Sequence, residues 1–346
     1  MRPRESVELA PLTTLGVGGQ ARWFFDATDV GSVREALAWA KGRGVPCRIL
    51  GGGSNVVVAD GGFDGLVLRT AIRGRTFRDG GADSLLTVHA GEPWDEVARD
   101  SVERDLQGLE CLSGIPGWAG ATPIQNVGAY GQEVAECIES VAVLDRTTLE
   151  ASTLSNGECR FAYRDSRFKS EDPERFVVLA VEFRLRRGAV PSVRYGELSR
   201  YLAESGVGRP SLLDVRRAVL VLRGRKSMLY DPNDENGRSC GSFFTNPVVS
   251  NDQARAIEEL SADSAMPRYP QPDGRVKLAA GWLIERAGFN KGLTKGPVGL
   301  STKHALALVC HDGARAADVL ELAETIRGGV RERFGITLVN EPVVWT

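Results

Sequence analysis

The chain has 346 residues, 42% of them hydrophobic and 25% charged, which is enough to bury full cores in two or three domains. A formal net charge of -2 excludes a global basic field of the kind that holds nucleic acid or an anionic membrane, so anions must be bound by local patches. The amino terminus, MRPRESVELAPL, lacks the apolar core of a signal peptide, and the strongest apolar runs, at 217–222 and 305–310, are too short to cross a bilayer; a cytoplasmic location is expected.

The first block alternates helix and strand. A capped helix is predicted over 29–41, stopped by Gly42 and Gly44, then a short buried strand over 45–50 that opens into Gly51, Gly52, Gly53, Ser54 and Asn55. Residues 56–58 and 66–68 continue the strand pattern. A second block follows, with a strand at 85–89, a helix at 94–106, a glycine-rich run at 113–131 and strands near 140–145 and 177–185. From residue 212 the character changes to an amphipathic stretch ending at Lys226, a polar turn at 230–238, helices at 252–260 and 276–287, a strand at 305–309 and a long helix at 316–334. The expected organisation is α+β with mixed sheets: subdomains 1–72 and 73–211, a third domain 212–334, and a strand-like tail 335–346. Pro342 inside that tail points to an edge position or a return to an earlier domain.

Six cysteines at 47, 111, 137, 159, 240 and 310 form no C-x-x-C pair and read as reduced small hydrophobes; Cys240 stands out because it sits in a glycine-serine turn. Three histidines without H-x-x-x-H spacing argue against a zinc site, and no metal is expected.

Two segments carry the strongest signal. In SGIPGWAGATPIQNVGAYG (113–131), glycines strip the backbone so that peptide N–H groups can approach a phosphate or a flat ring, while prolines and the Gln125–Asn126 pair add stiffness and directed hydrogen bonds. An ordinary loop of tight turns is the alternative. The 51–55 turn follows a strand, as phosphate-binding turns do, yet it is no Rossmann fingerprint: Val56 stands where a glycine should, and β-branched residues follow where a helix should open. A hairpin turn remains the competing reading. Arg164 in Tyr163–Ser166 can clamp a carboxylate or stand in a solvated basic turn. Ser242, within 241–247, is either a hydroxyl beside an aromatic wall or part of a buried junction. Arg223 and Lys226 can meet a diphosphate, or serve as solvated helix-end cations; Tyr195 can stack on a base or start a helix; Glu341 in an apolar tail is partly buried and functional, or an exposed edge acid.

In this order the segments TLGVGG (14–19), LGGGSNVVV (50–58), GIPGWAGATPIQNVGAYG (114–131), YRDS (163–166), GSFFTNP (241–247) and VKLAAGWLIERAG (276–288) resemble the UDP-N-acetylmuramate dehydrogenase family, also called UDP-N-acetylenolpyruvoylglucosamine reductases, over nearly the whole chain. Arg194-Tyr195-Gly196-Glu197-Leu198 looks like its longer form, with a substrate-capping loop. The resemblance implies an FAD-binding fold of the vanillyl-alcohol-oxidase type plus a carboxy-terminal substrate domain, and an enzyme of peptidoglycan precursor synthesis that uses FAD and NADPH. By the resemblance, Gly51, Gly52, Gly53, Ser54 and Asn55 would hold the cofactor together with Gly114, Ile115, Pro116, Gly117, Gly120, Ala121, Thr122, Gln125, Asn126, Gly128, Ala129, Tyr130 and Gly131. Arg164, Ser242 and Glu341 would be catalytic, and Tyr195, Lys226 and Asn246 would contact the substrate nucleotide. The chain departs from the family pattern at Glu341-Pro342-Val343, where Glu-Val-Arg is usual, and in a longer insert at 230–238. An oxidase on the same flavin fold and a non-catalytic UDP-sugar or flavin-binding protein are the alternatives.

Overall fold

The computed structural model describes residues 1–261 and 266–345. The chain divides into two compact units: Met1–Val7, Ala21–Gly53 and Phe63–Tyr230 form the first, and Glu8–Gln20, Ser54–Gly62 and the chain from Asp231 onward form the second.

Unit 1 starts with a sheet in the order Arg4–Glu8, Gln20–Ala27, Phe63–Thr70, Cys47–Leu50, the last three strands parallel. The helix Val30–Arg43 makes the crossover. Asp29 caps it, its Oδ1 accepting the Ser32 N–H at 2.8 Å, and Gly44 ends it at φ +62°, where a left-handed residue is required. Val33, Ala36, Leu37 and Ala40 bury against Leu66 and Leu68. A second, antiparallel sheet runs Ala151–Ser155, Ile138–Asp145, Phe176–Arg187, Asp83–His89, Arg75–Gly80. The helix Trp94–Glu103 packs Trp94 and Val97 on the Leu86, Val88 and Phe183 side of it. This helix stops three residues short of the predicted 106: Asp105 turns left-handed (φ 55°) and Leu106 joins a strand pair with Arg187.

The helices Gly196–Glu204 and Leu212–Arg225 complete unit 1. Val215, Ala218, Val219 and Leu222 bury with Leu198, Leu202 and Cys111, so the stretch after residue 212 packs with the elements before it. The first compact unit ends at Tyr230.

Unit 2 has two small three-stranded sheets and the helices Asn251–Ser261, Ala280–Arg286 and Ala316–Phe334. The helix predicted from residue 276 starts at Ala280, because Val276–Leu278 is the middle strand between Val248–Val249 and Arg268–Pro270. The strand predicted at 305–309 lies at Leu308–Cys310. Arg315 brings no side-chain oxygen to cap the long helix; Asp318 accepts the Arg315 N–H at 2.9 Å, and the Asp60 carboxylate accepts the N–H groups of Ala316 at 2.7 Å and Ala317 at 3.1 Å. The tail returns as a strand, Val343–Trp345, parallel to Val56–Val58, with Pro342 just before it. Among the described residues no helix is long and apolar enough to cross a membrane, and no cluster of metal-ligating side chains occurs.

Candidate active site

In unit 1 the two glycine-rich segments meet. The turn after Leu50 lies at the carboxyl end of a parallel strand, and a Cβ on Gly52 would stand 2.8 Å from Gly117 Cα and 3.1 Å from Trp118 Cδ1. Gly53 (φ +67°) and Gly117 (φ +114°) hold backbone conformations that side chains disfavour. Among the described residues the backbone N–H groups of Gly51, Gly52 and Gly53, and those of Ile115, Gly117 and Trp118, donate to no protein acceptor. No helix follows Gly53, in agreement with the missing Rossmann signature.

Other residues of the run serve the fold. The Gly114 N–H donates to Asp95 Oδ1 at 2.5 Å, Ala119 and Gly120 hydrogen-bond Glu92 and Ala90 carbonyls at 2.9 Å, and Ala121 and Thr122 close a short turn. A Cβ on Gly120 would lie 2.5 Å from that of Ala90. Asn126 is buried, with both amide hydrogens engaged, on Glu133 at 2.7 Å and the Ala162 carbonyl at 2.9 Å. Next to it, the Gln125 Oε1 is buried without a hydrogen-bond partner. Pro116, Gly128, Ala129 and Gly131 offer backbone alone, and Gly128 and Ala129 pair with Glu133 and Gln132.

Arg164 is tied to the same run. Its φ is +53°, and its guanidinium donates to the carbonyls of Asn126 at 3.3 Å and Gly128 at 2.5 Å. Tyr195, the residue ahead of the helix Gly196–Glu204, sets its ring edge-on to Tyr130 at 5.5 Å, and the Lys226 ammonium lies 5.8 Å from the Tyr130 ring. Lys226 pairs with Glu197 at 2.6 Å. Burial pushes the Tyr130 phenol well above its ordinary pKa, so it stays neutral. Thus unit 1 brings Tyr130, Tyr195 and Lys226 together.

Arg223 was legible as a helix-end cation, but its depth was not. Burial lowers its pKa, and its guanidinium donates to the carbonyls of Gly114 at 3.2 Å and Met228 at 2.6 Å. Trp118, which no motif in the sequence marks as a site residue, carries the guanidinium groups of Arg69 and Arg73 at 5.6 and 5.4 Å from its ring. Burial works to raise the Asp95 pKa, but bidentate Arg216, at 2.6 and 2.9 Å, and the Gly114 N–H hold it below the ordinary value.

In unit 2 the backbone of residues 243–245 pairs with 339–341. The Glu341 N–H donates to the Phe243 carbonyl at 2.9 Å, and Thr245 N–H to that of Val339 at 3.0 Å. This sets Glu341 opposite the residue that follows Ser242. The Ser242 side chain is half-buried and has no hydrogen-bond partner among the described residues, and Gly241 (φ +75°) shapes its turn. Asn246 uses its Oδ1 to accept the Ala280 N–H at 2.9 Å, capping a helix that has no cap of its own, and keeps its amide hydrogens open. Asn55 binds the same tail, its Nδ2 donating to the Glu341 carbonyl at 3.1 Å. Burial raises the Cys240 thiol to about 12, with Cys310 and Glu341 adding to the shift, so the thiol rests neutral.

Successive open N–H groups at a strand end, two backbones in contact, and a buried unpartnered amide oxygen suit a dinucleotide with a pyrophosphate and a flat polar ring, so the residues present fit FAD. Residues 22–148 match the family of FAD binding domains, and residues 231–345 match the carboxy-terminal domain family of UDP-N-acetylenolpyruvoylglucosamine reductases. The reductase of that name from Streptomyces avermitilis is 48% identical over 97% of this chain and 93% of its own. That from Nocardia farcinica is 51% identical over 98% and 89%. The crystal structure of the UDP-N-acetylenolpyruvylglucosamine reductase from Thermus caldophilus covers all of both chains at 27% identity with a TM-score of 0.69. The chain belongs to the UDP-N-acetylenolpyruvoylglucosamine reductase family, with an FAD-binding fold joined to that family's carboxy-terminal domain.

Proposed function

We propose a division of labour among residues of this FAD-dependent reductase, which uses NADPH to convert UDP-N-acetylglucosamine enolpyruvate to UDP-N-acetylmuramate for peptidoglycan synthesis. When bound, FAD carries the hydride of NADPH to the terminal carbon of the enolpyruvyl ether. The chain's own task is then electrostatic and protic. Hydride addition leaves negative charge on the substrate's α-carbon and carboxylate, and that enolate must be stabilised and then protonated at the α-carbon.

Arg164 neutralises the substrate carboxylate; its tether to the Asn126 and Gly128 carbonyls supports a fixed orientation. A protonated Glu341 donates a hydrogen bond that strengthens as the enolate forms, a contribution of about 3 kcal/mol for one such donor. Ser242 delivers the proton to the α-carbon, and the alkoxide it leaves must be stabilised by neighbouring donors. The observation that carries this assignment is the Ser242 hydroxyl, without a partner beside the strand pair that holds Glu341. Tyr195, Lys226 and the open amide hydrogens of Asn246 hold the uridine diphosphate moiety. Gly51–Asn55 and the segment 114–120, with its open N–H groups, would hold the FAD pyrophosphate, and 122–131 would serve its ring. The flavin-binding part then comprises subdomains 1–72 and 73–211, with residues from 212 on serving the substrate, and the enzyme works as a cytoplasmic monomer.

Purified protein should be yellow and should oxidise NADPH only when the enolpyruvyl substrate is added; a colourless protein, or oxygen consumption in place of substrate reduction, refutes the reading. Ser242→Ala should leave reduction of FAD by NADPH intact and slow its reoxidation by substrate several orders of magnitude. Equal loss in both half-reactions contradicts the proton-donor role.

A further inference from the structure

Unit 1 holds a cavity of about 540 Å³ that the reaction above does not use. One wall is the strand end with Arg184 and Arg186, a second is made by Gln107 and Gln132, and a third by the segment 189–194. Three donor groups on this lining have no partner among the described residues. Gln132 is only 2% exposed, and its Oε1 accepts the Cys111 N–H at 3.0 Å. That bond fixes the amide orientation and leaves the Nε2 hydrogens to the cavity side, with no acceptor among the described residues. The Gln107 amide and the Arg186 guanidinium also engage no side chain or carbonyl.

The remaining charges of the wall are matched. Arg194 pairs with Glu136, while Arg184 pairs with Glu139 at 2.8 Å and with Asp83 at 3.7 Å. Asp83 stands opposite Arg186 in the strand ladder but is shared with Arg184, so Arg186 remains the cation without an ion pair. One guanidinium and two amide NH2 groups facing one space form the donor set that recognises an oxyanion. Ala189, Val190 and Pro191 supply apolar surface for the body of such a ligand.

We propose that this cavity binds a small molecule through a carboxylate or phosphate group seated on Arg186, Gln132 and Gln107, at a site separate from that of the substrate. The site is coupled to the substrate through the segment 189–194, which runs directly into Tyr195. The Ser192 carbonyl accepts the Cys111 thiol at 3.5 Å, and the Ser192 hydroxyl accepts Arg194 Nε at 2.8 Å. An occupant pressed on this wall restricts the segment and pre-organises Tyr195, so it tightens substrate binding without touching the chemistry. That coupling rests on the substrate role proposed for Tyr195; the binding site does not.

Isothermal titration calorimetry of the holoenzyme with citrate and with inorganic phosphate, at matched ionic strength, tests the site and separates carboxylate from phosphate. We expect one saturable event per chain with at least one probe, weakened tenfold or more in Arg186→Gln, an exposed position whose substitution spares the fold, and unchanged in Tyr195→Ala. In wild type the bound anion should lower the KM for the UDP-sugar at constant kcat, and in Arg186→Gln it should not. No saturable heat with either probe, unaltered affinity in Arg186→Gln, or full displacement by the UDP-sugar overturns the site. Binding that leaves KM unmoved overturns the coupling alone, and intact binding in Tyr195→Ala keeps the site whatever Tyr195 does with substrate.

Discussion

Gly52→Ala tests the contact on which the cofactor cradle rests. The new Cβ would stand 2.8 Å from Gly117 Cα, 3.0 Å from the Gly117 carbonyl carbon and 3.1 Å from Trp118 Cδ1. Carbon atoms rest near 3.5 Å or beyond, so one backbone must retreat by roughly 0.7 Å. Neither partner is the flexible end of a side chain, and overpacking of this kind costs about 1–3 kcal/mol. At about 2–4 °C per kcal/mol for a domain of this size, the apo protein should melt roughly 2–12 °C lower. The displaced segment also carries the open N–H groups of Gly117 and Trp118, so FAD affinity should fall about 5- to 150-fold over the same energy range. Thermal melting of the apo protein and an FAD titration followed by flavin fluorescence read the two effects. Gly51→Ala is the control for stability, since its Cβ would meet only the Ala121 Cβ at 4.0 Å; its apo melting temperature should match wild type. If Gly52→Ala melts like wild type and binds FAD undiminished, the two glycine segments do not touch and the reasoning fails.

Arg164→Lys should lower kcat/KM at least tenfold despite the retained charge, because an ammonium cannot hold two carbonyls and a carboxylate in one plane; steady-state kinetics with wild-type values would rule out the clamp. The Asp95 carboxyl is depressed in the folded protein, so its contribution to stability is present above its unfolded pKa and is lost as pH falls through the lower folded value. The melting difference between wild type and Asp95→Asn should therefore be full at pH 6 and shrink progressively as pH falls below the ordinary carboxylate range; a difference independent of pH would refute the pairing with Arg216. Burial raises the Cys47 thiol to about 11 and those of Cys111, Cys159, Cys240 and Cys310 to about 12. At pH 8 a charged disulfide reagent should react slowly with the native chain and rapidly with all six thiols once guanidinium unfolds it; a fast native phase would show that one thiol is ionised.

Local signals in the sequence were read well where the determinant was local. Asp29 and Gly44 mark the first long helix because its caps lie within three residues of its ends. The apolar spacing from Trp94 predicts a longer helix than the fold keeps, since nothing near residue 104 announces that Asp105 turns left-handed or that Leu106 pairs with the distant Arg187. Val276–Leu278 was read as helix for the same reason. Its apolar spacing suits either state, and the strands that claim it come from Val248–Val249 and Arg268–Pro270. At the last long helix Asp318 is a local partner of the Arg315 N–H, but the Asp60 carboxylate that accepts the Ala316 N–H comes from 256 residues away and is invisible locally.

The same distinction explains the site. Composition shows that residues 113–131 can present bare backbone, but only the fold decides which N–H groups are left open: those of Ala119 and Gly120 are taken by Glu92 and Ala90, while those of Ile115, Gly117 and Trp118 are not. Side chains divide in the same way. Asn126 has both amide hydrogens committed to the protein and so acts as a brace for the loop, whereas Asn246 commits its oxygen to a helix end and keeps its hydrogens. Gln132 repeats the Asn246 pattern, with its oxygen on Cys111 and its hydrogens facing a cavity. An amide with one end fixed by the fold is a donor with a set direction, so it binds a ligand at little further entropic cost. This is why the two half-committed amides, and not the fully bonded one, are the positions where substitution should change ligand affinity more than stability.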